Sequence, residues 1–335
     1  MAAYTTIDDP ELYFQIKLYS GTGSTLSITF DGEEDMQPDL IWGKGRSLDG
    51  YNHGVVDSVR GVEKNIYTNL ADAEEAYSTG VTAFGSNGFT VGSGNVFNNG
   101  SQTYVAWCWK ESADAGFDIV GYTGNATADQ DHSHSLSAVP HVVIVKNRDN
   151  TNNESWAVYH HKNTSAPETD RLYLNSTGAT GDDIEFWQDT VPTSSVFTVG
   201  RQDTVNTSSG NHIAYLWSEK QGYSKFGSYS GNGNADGAFV YTGFRPAFVM
   251  IKENGGTADW FIFDTKRVGY NGGVYRLKAN TAEDENTSNV MDILSNGFKL
   301  RVADNDKNES GATYVYMAFA EAPFVNSEGV PTTAR

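Results

Sequence analysis

Five short phrases return three times in the same order along this chain, and nothing else constrains its fold as strongly. Ile16-Lys-Leu-Tyr19-Ser-Gly-Thr-Gly23 is echoed by Ile119-Val-Gly-Tyr122-Thr-Gly-Asn125 and by Phe226-Gly-Ser-Tyr229-Ser-Gly-Asn-Gly233, with the tyrosines 103 and 107 residues apart. Pro38–Lys44, Pro140–Lys146 and Pro246–Lys252 form the second set, and Ile66–Asn69, Leu172–Asn175 and Leu277–Asn280 the third. Gly88-Phe89, Val196-Phe197 and Gly297-Phe298 open the fourth. The fifth is Tyr104-Val-Ala-Trp107, His212-Ile-Ala-Tyr215 and Tyr316-Met-Ala-Phe319. A period of about 105 residues is the size of one small domain.

The phrases read as strands. They are short, rich in aromatic and β-branched residues, and bounded by Gly, Asn, Asp and Ser. Val142–Val145 and Phe248–Ile251 are unbroken apolar runs, as in strands covered on both faces. Only 69–78 and 280–289 have a composition suited to helix, and loop is the equal alternative. The expected fold is all-β: three tandem β-sandwich units of jelly-roll or concanavalin-like type. Their bounds are 16–111, 112–220 and 221–335, preceded by an attachment segment at 1–15. The links, Ser112–Gly116 and Gln221-Gly222, are too short for beads on a string, so the units should pack together.

A net charge of −19 disfavours nucleic acid and anionic membrane surfaces as partners. The apolar runs stop at four or five residues, so no membrane insertion is expected, and the first fifteen residues lack the features of a secretory signal. Cys108 is the single cysteine, which excludes an intrachain disulfide.

The candidates for chemistry each face a plainer reading. Asp129, Asp131, His132 and His134 form the densest set of potential metal ligands, with two histidines on one strand face. A solvated polar loop is the alternative. Asp57 with Arg60 and Asp264 with Arg267 occupy matching positions and suit a grip on a polar ligand such as a sugar. A structural ion pair is the favoured alternative, and the second unit has Tyr159-His160-His161-Lys162 there instead. Asp304–Asn308 begins like a calcium loop, but Glu309 and Val315 stand where its glycine and glutamate belong, so an acidic hairpin turn is expected. Gly21-Thr-Gly23 and Gly92-Ser-Gly94 read as turns. Trp156 matches Trp260 and Trp109 matches Trp217, which suggests core, whereas Trp187 lies outside the repeated phrases and is a candidate ligand contact. No cofactor motif and no catalytic motif is present, and no carboxylate pair is singled out by spacing.

Longer phrases carry a resemblance. Tyr104–Lys110, Gly222–Gly233, Gly243–Lys252, Leu294–Arg301 and Tyr314–Glu321 are similar to a family of tailed-phage virion proteins found in phages of marine bacteria, including cyanophages. The resemblance runs from Tyr13 to about Phe324, and the second unit departs from it at Thr193–Phe197. It implies concanavalin/SPRY-like sandwiches and a non-enzymatic structural protein on the virion surface, made in the host cytoplasm. The leading expectation is a tail fibre or tail appendage that recognises a host-surface glycan. A head decoration protein is the alternative, followed by a soluble glycan-binding module or a glycan-degrading enzyme. The implied partners are other virion proteins and the host glycan, with the chain a homo-oligomer in the particle.

Overall fold

Along the strand Thr103–Trp109 the side chains alternate between two apolar environments, which is why the sequence there has no polar face. Val105, Trp107 and Trp109 point to one cluster, Ala106 and Cys108 to another. The computed structural model describes residues 4–47, 49–149, 154–267 and 275–332. The fold is all-β, with 42 % of residues in strands and 7 % in helices.

Three large antiparallel sheets share one strand order. The first runs Phe14–Ser20, Thr103–Trp109, Leu40–Gly45, Gly54–Asp57, Lys64–Tyr67, Glu75–Ala76. The second runs Phe117–Thr123, Asn211–Trp217, Val142–Asn147, Trp156–His160, Asp170–Tyr173, Gly181–Asp182. The third has five strands: Ser224–Ser230, Thr313–Pro323, Phe244–Glu253, Phe261–Asp264, Arg276–Lys278. A small sheet covers the outer face of each, with strands from 26–29 and 81–91, from 130–133 and 196–199, and from 239–241 and 291–300. The cluster inside each sandwich is private to it.

The inner faces of all three large sheets meet in one shared core. Trp109, Trp217 and Phe319, one from each sheet, sit at its centre, with ring centroids 6.4 Å apart for the two tryptophans and 5.5 Å for Trp109–Phe319. Phe14 and Phe248 complete the aromatic cluster. Each large sheet is thus buried on both faces, in line with the apolar runs at Val142–Val145 and Phe248–Ile251.

Register corrects the fifth phrase. Tyr19 pairs with Tyr104, Tyr122 with His212, and Tyr229 with Tyr314. The third closing phrase therefore starts at Tyr314, two residues before the Tyr316 that the sequence comparison selects. A shift of two residues preserves strand alternation, which is why the pattern alone did not exclude it. The three ring pairs stack at 5.2, 5.0 and 4.9 Å.

Neither 69–78 nor 280–289 is helical: the first is loop that contains the two-residue strand Glu75–Ala76, and the second is loop with a single bridge at Asn286. Among the described residues the α-helices are single turns at Asn95–Asn98, Ile184–Trp187, Asp203–Asn206 and Asn305–Asn308, with 3-10 turns at Pro10–Leu12 and Pro167–Thr169. The last replaces the expected hairpin turn: Asp304 accepts from the Lys307 N–H, and the buried Lys307 ammonium returns to it at 2.8 Å. The stretch set apart as an attachment segment also differs. Ile7 is buried in the shared core, Tyr4 donates to the Gly243 carbonyl, and Asp8 accepts from Ser327, so residues 4–13 lie against the third sandwich. Among the described residues no helix is long and apolar enough to cross a membrane.

Candidate functional site

The two aspartate–arginine pairs singled out in the sequence lie at the seams between sandwiches, where they are spent on internal contacts. Asp57 and Arg60 have no side-chain exposure and pair with each other, and Arg60 also donates to the Lys64 and Val55 carbonyls and to Glu74. The Tyr215 hydroxyl, from the second sandwich, donates to Asp57 at 2.7 Å. Asp264 and Arg267 repeat the arrangement, with the indole N–H of Trp107 from the first sandwich as donor at 2.9 Å. These pairs are structural, and the expected ligand grip is corrected: no ligand reaches a carboxylate with zero exposure whose neighbours already donate to it.

The same seams carry bidentate clamps. Arg148 holds Glu74 at 2.9 and 3.0 Å, and Arg46 holds Glu285 at 3.0 and 2.8 Å. Three lysines from the second set of phrases, Lys44, Lys146 and Lys252, are wholly buried. Their ammonium groups rest on backbone carbonyls: Gly45 and Ala282, Ala71 and Glu154, Glu253 and Gly256. Loss of water lowers each to about 8.

The seam between the second and third sandwiches abandons this pattern at every matching position. His160 stands in place of Asp57 and Asp264, and Asn163 in place of the arginines. Met317 replaces the Trp107 and Tyr215 donors, and the contact reverses: His160 Nε2 meets the Tyr316 carbonyl at 3.1 Å. Asn254 takes the place of the clamping arginine and donates to the Asn163 carbonyl. A methionine offers no N–H or O–H, so a carboxylate opposite it would be left unpaired; a neutral imidazole is the consistent partner.

Beside this seam is a cleft of about 480 Å³, lined by Tyr4, His141, Glu219, Ser224, Lys225 and Tyr241 among others. The His141 and His161 rings meet edge to face at 4.4 Å. His141 Nδ1 accepts the Glu219 backbone N–H at 3.0 Å, which puts the proton of the neutral ring on Nε2. Glu219 accepts from the Phe226 N–H at 2.8 Å and lies 3.7 Å from the Lys225 ammonium. Burial lowers His161 to about 4 and His160 to about 3, with neighbouring histidines and Lys162 acting in the same direction.

Glu219 has counterparts in Glu111 and Glu321, each two residues past the matching core aromatic Trp217, Trp109 or Phe319. Glu111 meets Asp118, and the two carboxyl groups share a hydrogen bond; burial and Asp118 raise Glu111 to about 8 while Asp118 is lowered. Carboxyls in such contact are closer than the roughly 5 Å or more that separates the pair of a glycosidase.

The remaining expectations are also corrected. Trp187 is buried in the second sandwich, donating to the Asp170 carbonyl at 2.9 Å with Tyr159 edge-on at 6.0 Å, so it is core. His132 is wedged between Tyr122 and Phe197, His134 meets the Thr193 carbonyl, and Asp131 accepts from Thr198. Asp129 is a turn residue with φ of 58°. These four do not converge, and among the described residues no three His, Cys, Asp or Glu side chains form a metal set.

Buried Asn98, Asn206 and Asn308 went unnoticed in the sequence. Each closes a single-turn helix and clamps the loop after the opening strand, accepting from Thr22, Asn125 or Asn232 and donating to two carbonyls. The signal was available, since each stands six residues before Tyr104, His212 or Tyr314.

Sheets, seams and cleft together define a class: an all-β protein of sandwiches locked around a common core, with one seam chemically distinct. The chain belongs to the family described as a domain of unknown function, DUF7483, whose model matches residues 9–323. No curated protein matches the chain.

Proposed function

We infer that this is a non-enzymatic structural protein exposed on a tailed-phage particle, a tail appendage that recognises the host surface. The observation that carries the reading is the fate of the charged groups at the seams. Asp57, Arg60, Glu74, Asp264, Arg267 and Glu285 hold sandwich to sandwich, so the ionic chemistry of the interior maintains shape. A rigid block that presents loops at sandwich ends is suited to display, because loops vary without disturbing the core beneath them. The resemblance to phage virion proteins supports the setting.

The cyclic arrangement of the three sheets around one core favours a second reading, a head decoration protein seated as a single copy on a threefold axis. Imaging purified particles labelled with an antibody against the full chain separates the two. Label confined to the tail is the expected result, label over the head selects the decoration protein, and unlabelled particles contradict both.

A further inference from the structure

We propose that the cleft beside the second–third seam is a binding site for a short neutral oligosaccharide. The proposal deepens the host-surface reading and rests on it. Its volume, about 480 Å³, falls within the roughly 300–1,000 Å³ of small-ligand sites. The lining selects the ligand class. Lys225 and the Nε2–H of His141 donate, Glu219 and the Tyr4 hydroxyl, whose proton goes to the Gly243 carbonyl, accept, and Ser224 with the hydroxyl of Tyr241 can do either. A ligand dense in hydroxyls uses both kinds of partner. A bare anion would face Glu219 and a bare cation Lys225. The net charge of −19 further disfavours acidic sugars.

Tyr241 supplies the apolar component. It is 54 % exposed on the edge strand Phe239–Tyr241, and Phe239, on the same face two residues earlier, is 48 % exposed. Two exposed rings side by side on a strand edge suit the apolar face of a pyranose. The other seams are bound by buried arginine–carboxylate pairs. At this one the pairs are gone, and half-exposed His141, His161, Glu219 and Lys225 remain.

The test is calorimetric titration of the full chain with neutral hexose and N-acetylhexosamine di- and trisaccharides, alongside Tyr241→Ala and Lys225→Met. Both side chains are exposed, so both variants should melt with the wild type. The expected result is wild-type binding that falls about tenfold or more in Tyr241→Ala and several-fold in Lys225→Met. Binding that is equal in all three proteins overturns the cleft and leaves surface recognition standing. Absence of binding by the wild type also overturns the cleft. In that event labelled full chain is applied to host cells: adhesion keeps the surface reading, and failure to adhere removes it as well.

Discussion

Replacing His160 with glutamine isolates the seam where, among the described residues, the buried arginine–carboxylate pairs of the other two are replaced. Glutamine keeps an N–H for the Tyr316 carbonyl but does not titrate. His160 faces His161, His141 and Lys162, all of which oppose its protonation, and burial opposes it more strongly still. In the unfolded chain a histidine binds a proton below about 6.5; in the folded protein His160 does so only near 3. The unfolded state therefore holds the extra proton throughout that window. Stability present above pH 6.5 is lost as the pH falls toward 3. Between pH 7 and 4.5 the loss from this residue is about 2.5 kcal/mol. Urea midpoints followed by tryptophan fluorescence at the two pH values measure it. The wild type should lose about 2.5 kcal/mol more than His160→Gln over that interval. Equal losses would refute the claim that the seam depends on a neutral His160.

Three further outcomes concern the seams and the interior of the first sandwich. Tyr215→Phe removes the hydroxyl that donates to Asp57 and should cost about 1.5–3 kcal/mol, whereas Asp57→Ala strands Arg60 in the interior and should cost about 3–5 kcal/mol, both read by urea denaturation. Glu111 is raised to about 8 beside Asp118, so its contribution is present below about 4.5 and lost as pH rises through 8; Glu111→Gln should be the more stable protein at pH 8.5, and a melting temperature below wild type there contradicts the shared proton. Gly54→Ala places a methyl 2.5 Å from the Phe97 ring and should destabilise the first sandwich by about 1–3 kcal/mol, a loss that Gly54→Ala combined with Phe97→Leu should partly reverse.

The repeated phrases made the all-β fold legible because alternation between two buried faces leaves an apolar signature that no loop reproduces. Trp109 and Trp217 were readable as core for the same reason, being fixed by position within that pattern. Trp187 was not, because a single-turn helix has too few residues to show a period, and its indole finds Asp170 only through the fold. The seam pairs were half legible. Asp57 and Arg60 are three residues apart and announce a turn, but their further partners, Tyr215 and Glu74, are 158 and 14 residues from Asp57 and Arg60 respectively. The cleft was hidden altogether: Tyr4, His141, Glu219 and Tyr241 come together only when the second and third sandwiches close. The sequence did mark the place, by putting His160-His161-Lys162 where the other units carry an aspartate and an arginine.

The central claim is that the three sandwiches are one structure, joined through a shared core and not merely tethered. Differential scanning calorimetry of the full chain at pH 7 tests it most directly. A common core predicts a single transition in which the calorimetric and van't Hoff enthalpies agree. Two or three resolved transitions, each with the enthalpy of a sandwich melting by itself, would contradict it.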